Sequence, residues 1–507
     1  MSERPAPVPD LDWEPERARE LGGAAVELWA ELLGRLPELP VSRGLGAAEV
    51  RDLLELEVPE EGLSNAELMD RLRPLVFDAS MFPGHPGFSA YVSGAGTVPG
   101  AVADLLAAAL NQNLGGFRLS PGANQVEAAL VRFLASSFGL PETAGGQVVA
   151  GGAIANFVGL KVARDAALGP DARARGVAAG PPLAFYASSE AHVVHQRAAD
   201  MLGLGIDAVR SIPVDGDQRM RTDALAESLE SDRAAGVVPA AVIGTAGTTA
   251  TGAIDPLEPI AELCAGHGIH FHVDACYGGP AVLAPDLRPL MAGIERADSI
   301  AADAHKWLYT PLLGGCAILR DAALLPAAFA ADASVIWMDE EARAAHGIDY
   351  VHQGPDFSRG FAALRIWLSL VAHGSASYAR RISHDAALAR YLGELVEEHP
   401  DFELMTPVKL SICCFRFAPA ALRGDDEALD RLNERLMLAI HSDGRVYCSN
   451  AVLDGRFCLR ACIVNFRTEA EHLELLLRVA AEHGERLAAE HGERPAAELA
   501  PEGGRGA

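Results

Sequence analysis

Residues 269–279, IHFHVDACYGG, and 297–315, ADSIAADAHKWLYTPLLGG, decide how this chain is read. Each is an apolar run that ends in polar residues, Asp274 in the first and His305 with Lys306 in the second, and a helix-length stretch separates the two. Strands joined by a helical crossover lie parallel, so their carboxyl ends open on one edge of the sheet, where a carboxylate and an amine face the same ligand. A buried ion pair is the plainer alternative, but charged side chains are seldom fully buried unless they are paired or used. Composition sharpens the choice: of 42 basic residues only Lys161, Lys306 and Lys409 are lysines, so chemistry that needs an amine has three addresses.

Working outward, QVVAGG, PLAFYAS, AAVIGTAG, SIAADA and GCAILR repeat the pattern between about Gly84 and Gly374, with Ala/Leu-rich helical windows between them. Near-continuous apolar strands separated by helices predict an α/β fold with a mainly parallel sheet covered on both faces. Before it, Leu21, Ala25, Leu28, Trp29, Leu32 and Leu33 recur at helical spacing, and Ser64 with Glu67 three residues on marks a second helix to Val76. After Asp385 the order becomes helix, strand, helix, strand, helix. The expected organisation is a helical arm over 1–80, a large α/β domain over 81–385, a small α+β domain over 386–480 and a flexible tail over 481–507. The tail is expected because glycines, Pro495 and the lack of an apolar stripe oppose a packed helix there.

The 507 residues are half hydrophobic and carry a formal charge of −27, which excludes disorder for the bulk of the chain and makes nucleic acids and anionic membranes poor partners. No apolar stretch is long enough to span a bilayer, and the acidic, proline-rich start is unlike a secretory leader. Eight cysteines without a CxxC pair read as buried thiols in a reducing cytoplasm, with no metal site.

An amine at one strand end and a carboxylate facing it are what pyridoxal phosphate requires: the lysine forms a Schiff base with the aldehyde, and the aspartate keeps the pyridine nitrogen protonated. Its phosphate needs backbone N–H groups at a helix start, and QVVAGGAIANFVGLKVARD supplies a strand, Gly151 and Gly152, and a helix opening.

The ordered set HPGFSAY (85–91), GGAIAN (151–156), SSEAH (188–192), TAGTTATGAID (245–255), HVDACYGG, DAHKW and LRACIVNFRT (459–468) resembles the group II pyridoxal-phosphate-dependent amino-acid decarboxylases, from the helical arm to about residue 480. The resemblance implies a fold-type I homodimer with its cofactor sites near the interface. It makes Lys306 the Schiff-base lysine, Asp274 the partner of the ring nitrogen and His192 the imidazole stacked on the ring. Thr249 and His305 stand beside the cofactor, and Gly151, Gly152, Ala153 and Asn156 match the phosphate loop.

The family also has a lid that supplies a tyrosine to protonate Cα after carbon dioxide leaves. The polar stretch about 330–357 has the composition of a lid, and its Asp349-Tyr350-Val351-His352 resembles a stretch of the aromatic branch, which makes Tyr350 the expected donor. A phenylalanine there would have suggested an aldehyde-forming variant. Asp303 stands where the family often has asparagine, and a carboxylate beside a phosphate is repulsive unless protonated, turned away or bridged. Cys276 replaces a common alanine, and Ala150 and Ala153 replace hydroxyl residues. DAHKWL resembles the aromatic branch, whereas Asn111-Gln112-Asn113 and GGAIAN resemble the glutamate and cysteine-sulfinate branch, with Arg118 either a partner for an acidic side chain or a surface residue. The first expectation is decarboxylation of an aromatic L-amino acid; acidic or aliphatic substrates, an aminotransferase and an aldehyde synthase are the alternatives.

Overall fold

The computed structural model describes residues 11–330 and 347–493. A two-residue strand, β1 (Phe88–Ser89), precedes the seven strands of the large sheet: β2 (Gly145–Val149), β3 (Leu183–Ser188), β4 (Val209–Ile212), β5 (Val238–Thr245), β6 (His270–Asp274), β7 (Ser299–Asp303) and β8 (Gly315–Leu319). Their order is β2-β8-β7-β6-β5-β3-β4. Within this sheet β8 alone runs against the rest, because the segment joining β7 to β8 contains no crossover helix and returns the chain directly. That segment carries Lys306. The register pairs Thr245 with Asp274 and Asp274 with Ala301, so the ends of β5, β6 and β7 lie side by side.

Helices cover both faces. Strands β3 and β7 are buried at every position, as unbroken apolar runs require in a sheet covered on two sides. The edge strand β4 was not foreseen: VRSI is only half-buried and too polar to stand out. Gly315, the first residue of β8, touches Gly151 so closely that an added Cβ would lie 2.4 Å from its carbonyl carbon. The turn after β2 is thereby held directly against β8.

The second sheet contains β9 (Phe402–Leu404), β10 (Ile412–Phe417), β11 (Tyr447–Leu453) and β12 (Arg456–Cys462), with β1 added in parallel to β11, in the order β1-β11-β12-β10-β9. The expected boundary at 385 falls inside one helix, Ser375–Glu398. Its Tyr378, Ile382 and Ala386 pack into the core of the large sheet, and its Leu388, Leu392 and Val396 into that of the small one. The boundary of the tail also needs correction. The last helix runs from Ala470 to Glu493, with Leu487 buried in the small core and Gly484 so near the Phe417 ring that a side chain would collide with it. Residues 494–507 lie outside the described residues.

In the N-terminal region, Pro15–Arg35 and Asn65–Phe77 are helices, the latter capped reciprocally by Ser64 and Glu67. They share a small cluster of Leu36, Leu39, Phe77 and Phe82. No described helix is long and apolar enough to cross a membrane. All eight cysteines are buried and unpaired.

Candidate active site

The ends of β2, β3, β5, β6 and β7, with the turns that follow them, enclose a cavity of about 260 Å³. Asp274 enters it from the last position of β6, Asp303 from the last position of β7, and Lys306 from the turn beyond. Gly152, Ala153 and Asn156 line it from the start of the helix Gly152–Leu168, and His192 and Thr249 from the open side.

Asp274 is almost wholly buried. Its Oδ1 accepts the Cys276 N–H at 3.1 Å, and its Oδ2 lies 3.2 Å from His195 Nε2. Burial alone would raise the carboxyl, but the His195 contact and the nearby Lys306 charge outweigh it and hold Asp274 well below the usual carboxylate range. The cavity therefore presents a permanent anion at the end of β6. Lys306 Nζ is 3.1 Å from Asp303 Oδ2. Burial works against its ammonium, yet the facing Cys276, Asp303 and Asp274 prevail and raise it above its ordinary range. The two other lysines are engaged elsewhere, Lys161 with Asp165 at 2.7 Å and Lys409 with Asp217 at 3.5 Å.

The helix start is shaped for close approach. An added Cβ on Gly152 would lie 2.6 Å from both Asp303 Oδ2 and Cys276 Sγ; the Ile154 and Ala155 amides donate to the Gly151 carbonyl, and those of Gly152 and Ala153, ahead of them, have no carbonyl of the helix to reach. Asn156 does not point a free amide into the cavity. Its Nδ2 donates to the Gly152 carbonyl at 2.9 Å and its Oδ1 lies 2.8 Å from His272 Nε2. Burial, with His195 and His270 nearby, pushes the His272 imidazole down to about 3, so it is neutral and donates to Asn156. Replacing Asn156 by alanine leaves His272 Nε2 without its acceptor, while the Gly152 carbonyl keeps the backbone N–H of its own helix. The expected cost is about 1–3 kcal/mol of stability, read as a lower thermal midpoint.

His305 stands behind the cavity rather than in its wall: Nδ1 accepts the Gly314 N–H at 3.1 Å and Nε2 lies 3.8 Å from Asp303 Oδ2. His192 Nδ1 accepts the Val194 N–H, which leaves Nε2 to carry the proton. Arg118 is exposed and outside the cavity.

Tyr350 is not brought to this site. It is fully buried, its ring lies under the Arg359 guanidinium at 4.5 Å, and its hydroxyl has no partner. The neighbouring backbone is tied down: Phe117 N–H donates to Asp349 at 3.0 Å and Val351 N–H to the Gly115 carbonyl at 2.9 Å. The expected lid is thus pinned over 348–353, and its residues 331–346 lie outside the described residues. Two residues that sequence reasoning passed over do belong here, His195 and Arg197, on the helix Val194–Met201. Their signal was spacing: His195 follows His192 by one helical turn, so both face the same sheet edge.

The residues present fit pyridoxal phosphate. They offer an amine, an ionised carboxylate, a helix start cleared by glycine, and a buried carboxylate oxygen, Asp303 Oδ1, that has no partner. Asp303, which would repel a phosphate, is paired with Lys306 at 3.1 Å.

Comparison with known proteins agrees with this geometry. The pyridoxal-dependent decarboxylase conserved domain matches residues 48–418. An aromatic-L-amino-acid decarboxylase of Bacillus atrophaeus is 33% identical, covering 93% of this chain and 96% of its own. A mouse cysteine sulfinic acid decarboxylase is 32% identical over 83% of this chain and 87% of its own. The structure of Oryza sativa TDC with PLP and tryptamine superimposes with a TM-score of 0.88 at 26% identity, covering 94% of this chain and 99% of that one.

Proposed function

The chain belongs to the pyridoxal-dependent decarboxylase family and is a pyridoxal-phosphate-dependent amino-acid decarboxylase, and on that premise we propose that it converts an aromatic L-amino acid to its amine and carbon dioxide. The observation that carries the aromatic reading is the likeness to the Bacillus aromatic-L-amino-acid decarboxylase over nearly the whole of both chains. Tyr277, Val193 and Val194 in the cavity wall support it. A second reading, an acidic substrate, is favoured by Arg197, which lines the same cavity and forms no ion pair among the described residues.

When bound, pyridoxal phosphate supplies an aldehyde that exchanges amines and a protonated ring that accepts the electron pair left by departing carbon dioxide. Lys306 would hold the group through Nζ, the amine that enters the cavity. Asp274, steadied by His195, would face the ring nitrogen and favour a proton there. The amides at Gly152 and Ala153 would hold the phosphate, and Asn156 braces that turn by tying Gly152 to His272. His192 and Thr249 close the open side.

The working form is a homodimer in our reading. Val102, Leu105, Leu106 and Leu110 are exposed along the helix Val98–Leu110, an apolar face that a second copy covers. Eight buried thiols suit the cytoplasm.

The substrate is tested by measuring carbon dioxide release from phenylalanine, tyrosine, tryptophan, glutamate, cysteine sulfinate and leucine. The aromatic reading expects kcat/KM for one aromatic substrate to exceed that for either acid by about 10-fold or more. The reverse order, lost in Arg197→Ala, establishes the acidic reading in its place.

A further inference from the structure

The turn that carries Lys306 is fastened from behind by one buried carboxylate. We propose that Asp385 is a positioning residue for the active site: by holding Trp307 and Tyr309 it fixes the distance and angle between the amine of Lys306 and the carboxylate of Asp274. The inference rests on the decarboxylase reading above, which needs those two groups on opposite sides of one ring. It goes beyond that reading by assigning their placement to a residue outside the cavity wall.

Asp385 lies on the helix Ser375–Glu398 and is fully buried. Its Oδ2 accepts two hydrogen bonds from the Lys306 turn, one from the Trp307 indole N–H at 3.0 Å and one from the Tyr309 hydroxyl at 2.7 Å. Its Oδ1 accepts the Arg381 Nε–H at 2.8 Å, one helical turn away. Burial pushes the carboxyl up to about 6, opposed by Arg381 and the two donors, which leaves an anion at neutral pH. A buried ion pair is a costly way merely to fill space, and what this one supplies is direction, since both donors must point at one oxygen.

Trp307 is the part that reaches the site. It follows Lys306 directly, is wholly buried, and stacks on Tyr277 with ring centroids 5.4 Å apart. Tyr277 stands three residues after Asp274 and lines the cavity, and its hydroxyl is 2.6 Å from Ser411 Oγ. One indole therefore meets the turn after β6 through its face and Asp385 through its N–H, so a shift of the ring moves the Lys306 turn against the Asp274 turn. Tyr309 is held in a left-handed backbone conformation, φ 53°, which a bulky residue adopts only where its surroundings impose it. Its hydroxyl bond to Asp385 is one restraint, and its carbonyl, which accepts the Thr97 N–H at 3.0 Å, is another. Arg381 carries the brace onward to Glu469 and to the Asn465 and Thr468 carbonyls. Asp385, Trp307 and Tyr309 are each 3% exposed or less, so their contacts do not depend on what a second copy covers.

The test uses the cofactor-loaded enzyme and three variants, Asp385→Asn, Tyr309→Phe and the two combined. The first readouts are the circular dichroism of the bound cofactor's visible band and the rate of cofactor release to a scavenger; the second are kcat and KM per folded molecule. Asp385→Asn is expected to halve the visible ellipticity, roughly, to release the cofactor about 10-fold faster and to lower kcat about 10-fold, with KM changed by less than about 2-fold. Tyr309→Phe is expected to move the same quantities by about 3-fold, and the combined variant to be no worse than Asp385→Asn alone, because both cut one linkage. Tyr309→Phe deletes one oxygen and keeps the ring, so it decides the matter even where Asp385→Asn does not fold. Wild-type ellipticity, release and kcat in the folded variants overturn the positioning role, whether or not the thermal midpoint falls. Effects that multiply in the combined variant overturn the shared linkage through Asp385. Wild-type protein that takes up no pyridoxal phosphate overturns the cofactor reading instead.

Discussion

Lys306→Ala protein is expected to bind the cofactor without the visible absorbance of a lysine-bound aldehyde and to lose carbon dioxide release by about 10⁴-fold or more. The reason is address as much as chemistry. Lys161 donates to Asp165 and to the Ala328 carbonyl on the outer side of the helix after the phosphate turn, and Lys409 pairs with Asp217. Neither enters the cavity, so no neighbouring amine is available to substitute. A spectrophotometric titration with pyridoxal phosphate, paired with a carbon dioxide assay, checks both halves. A variant that keeps the absorbance places the bonded amine elsewhere.

Asp274→Asn is expected to retain the lysine-bound aldehyde while turnover falls by about 10²–10³-fold. An uncharged amide cannot keep a proton on the ring nitrogen, so the ring accepts the electron pair poorly. His195 also loses its counterpart, because its Nδ1 has no other hydrogen-bond partner. The pH profile separates this from simple damage. Asp274 is held ionised well below 3.8, so in wild type the support for the ring proton is expected to persist as pH falls through 5. An activity loss of less than tenfold, or a lost absorbance, contradicts the role assigned to Asp274.

The large sheet was legible because most of its strands are buried, predominantly apolar runs, β4 excepted, and that pattern survives without any partner information. IHFHVDA, SIAADA and GCAILR became β6, β7 and β8, though the reversed direction of β8 was not written in its composition. It follows from the length and content of the segment before it. The hairpin of β11 and β12 was half missed. The order expected after Asp385 held a single strand following its second helix, although Asp454-Gly455, at φ of 50° and 79°, is the two-residue turn that should have signalled a partner upstream. The overlong tail was a propensity argument overruled by packing, since Gly484 and Leu487 are where the last helix meets the small core.

At the site, Asp274 and Lys306 were readable because strand ends in a parallel sheet converge, and the three-lysine composition made one of them conspicuous. Tyr350 was less legible, and within one chain it lies under Arg359 and away from the cavity. A tyrosine in a polar segment carries no mark of whether it faces a ligand or an arginine, and the Arg359 beside it is fixed by a buried pair with Glu127, which lies far from both in sequence. Asn156 was read as a phosphate ligand, but both ends of its amide are occupied by Gly152 and His272, which only the folded chain brings near.

The most direct measurement of the central claim is to load the protein with pyridoxal phosphate, reduce it with borohydride, digest it and sequence the labelled peptide. The account predicts one pyridoxyl group per chain, on the peptide that contains Asp303-Ala304-His305-Lys306-Trp307. A label on Lys161 or Lys409, or no label at all, would contradict it.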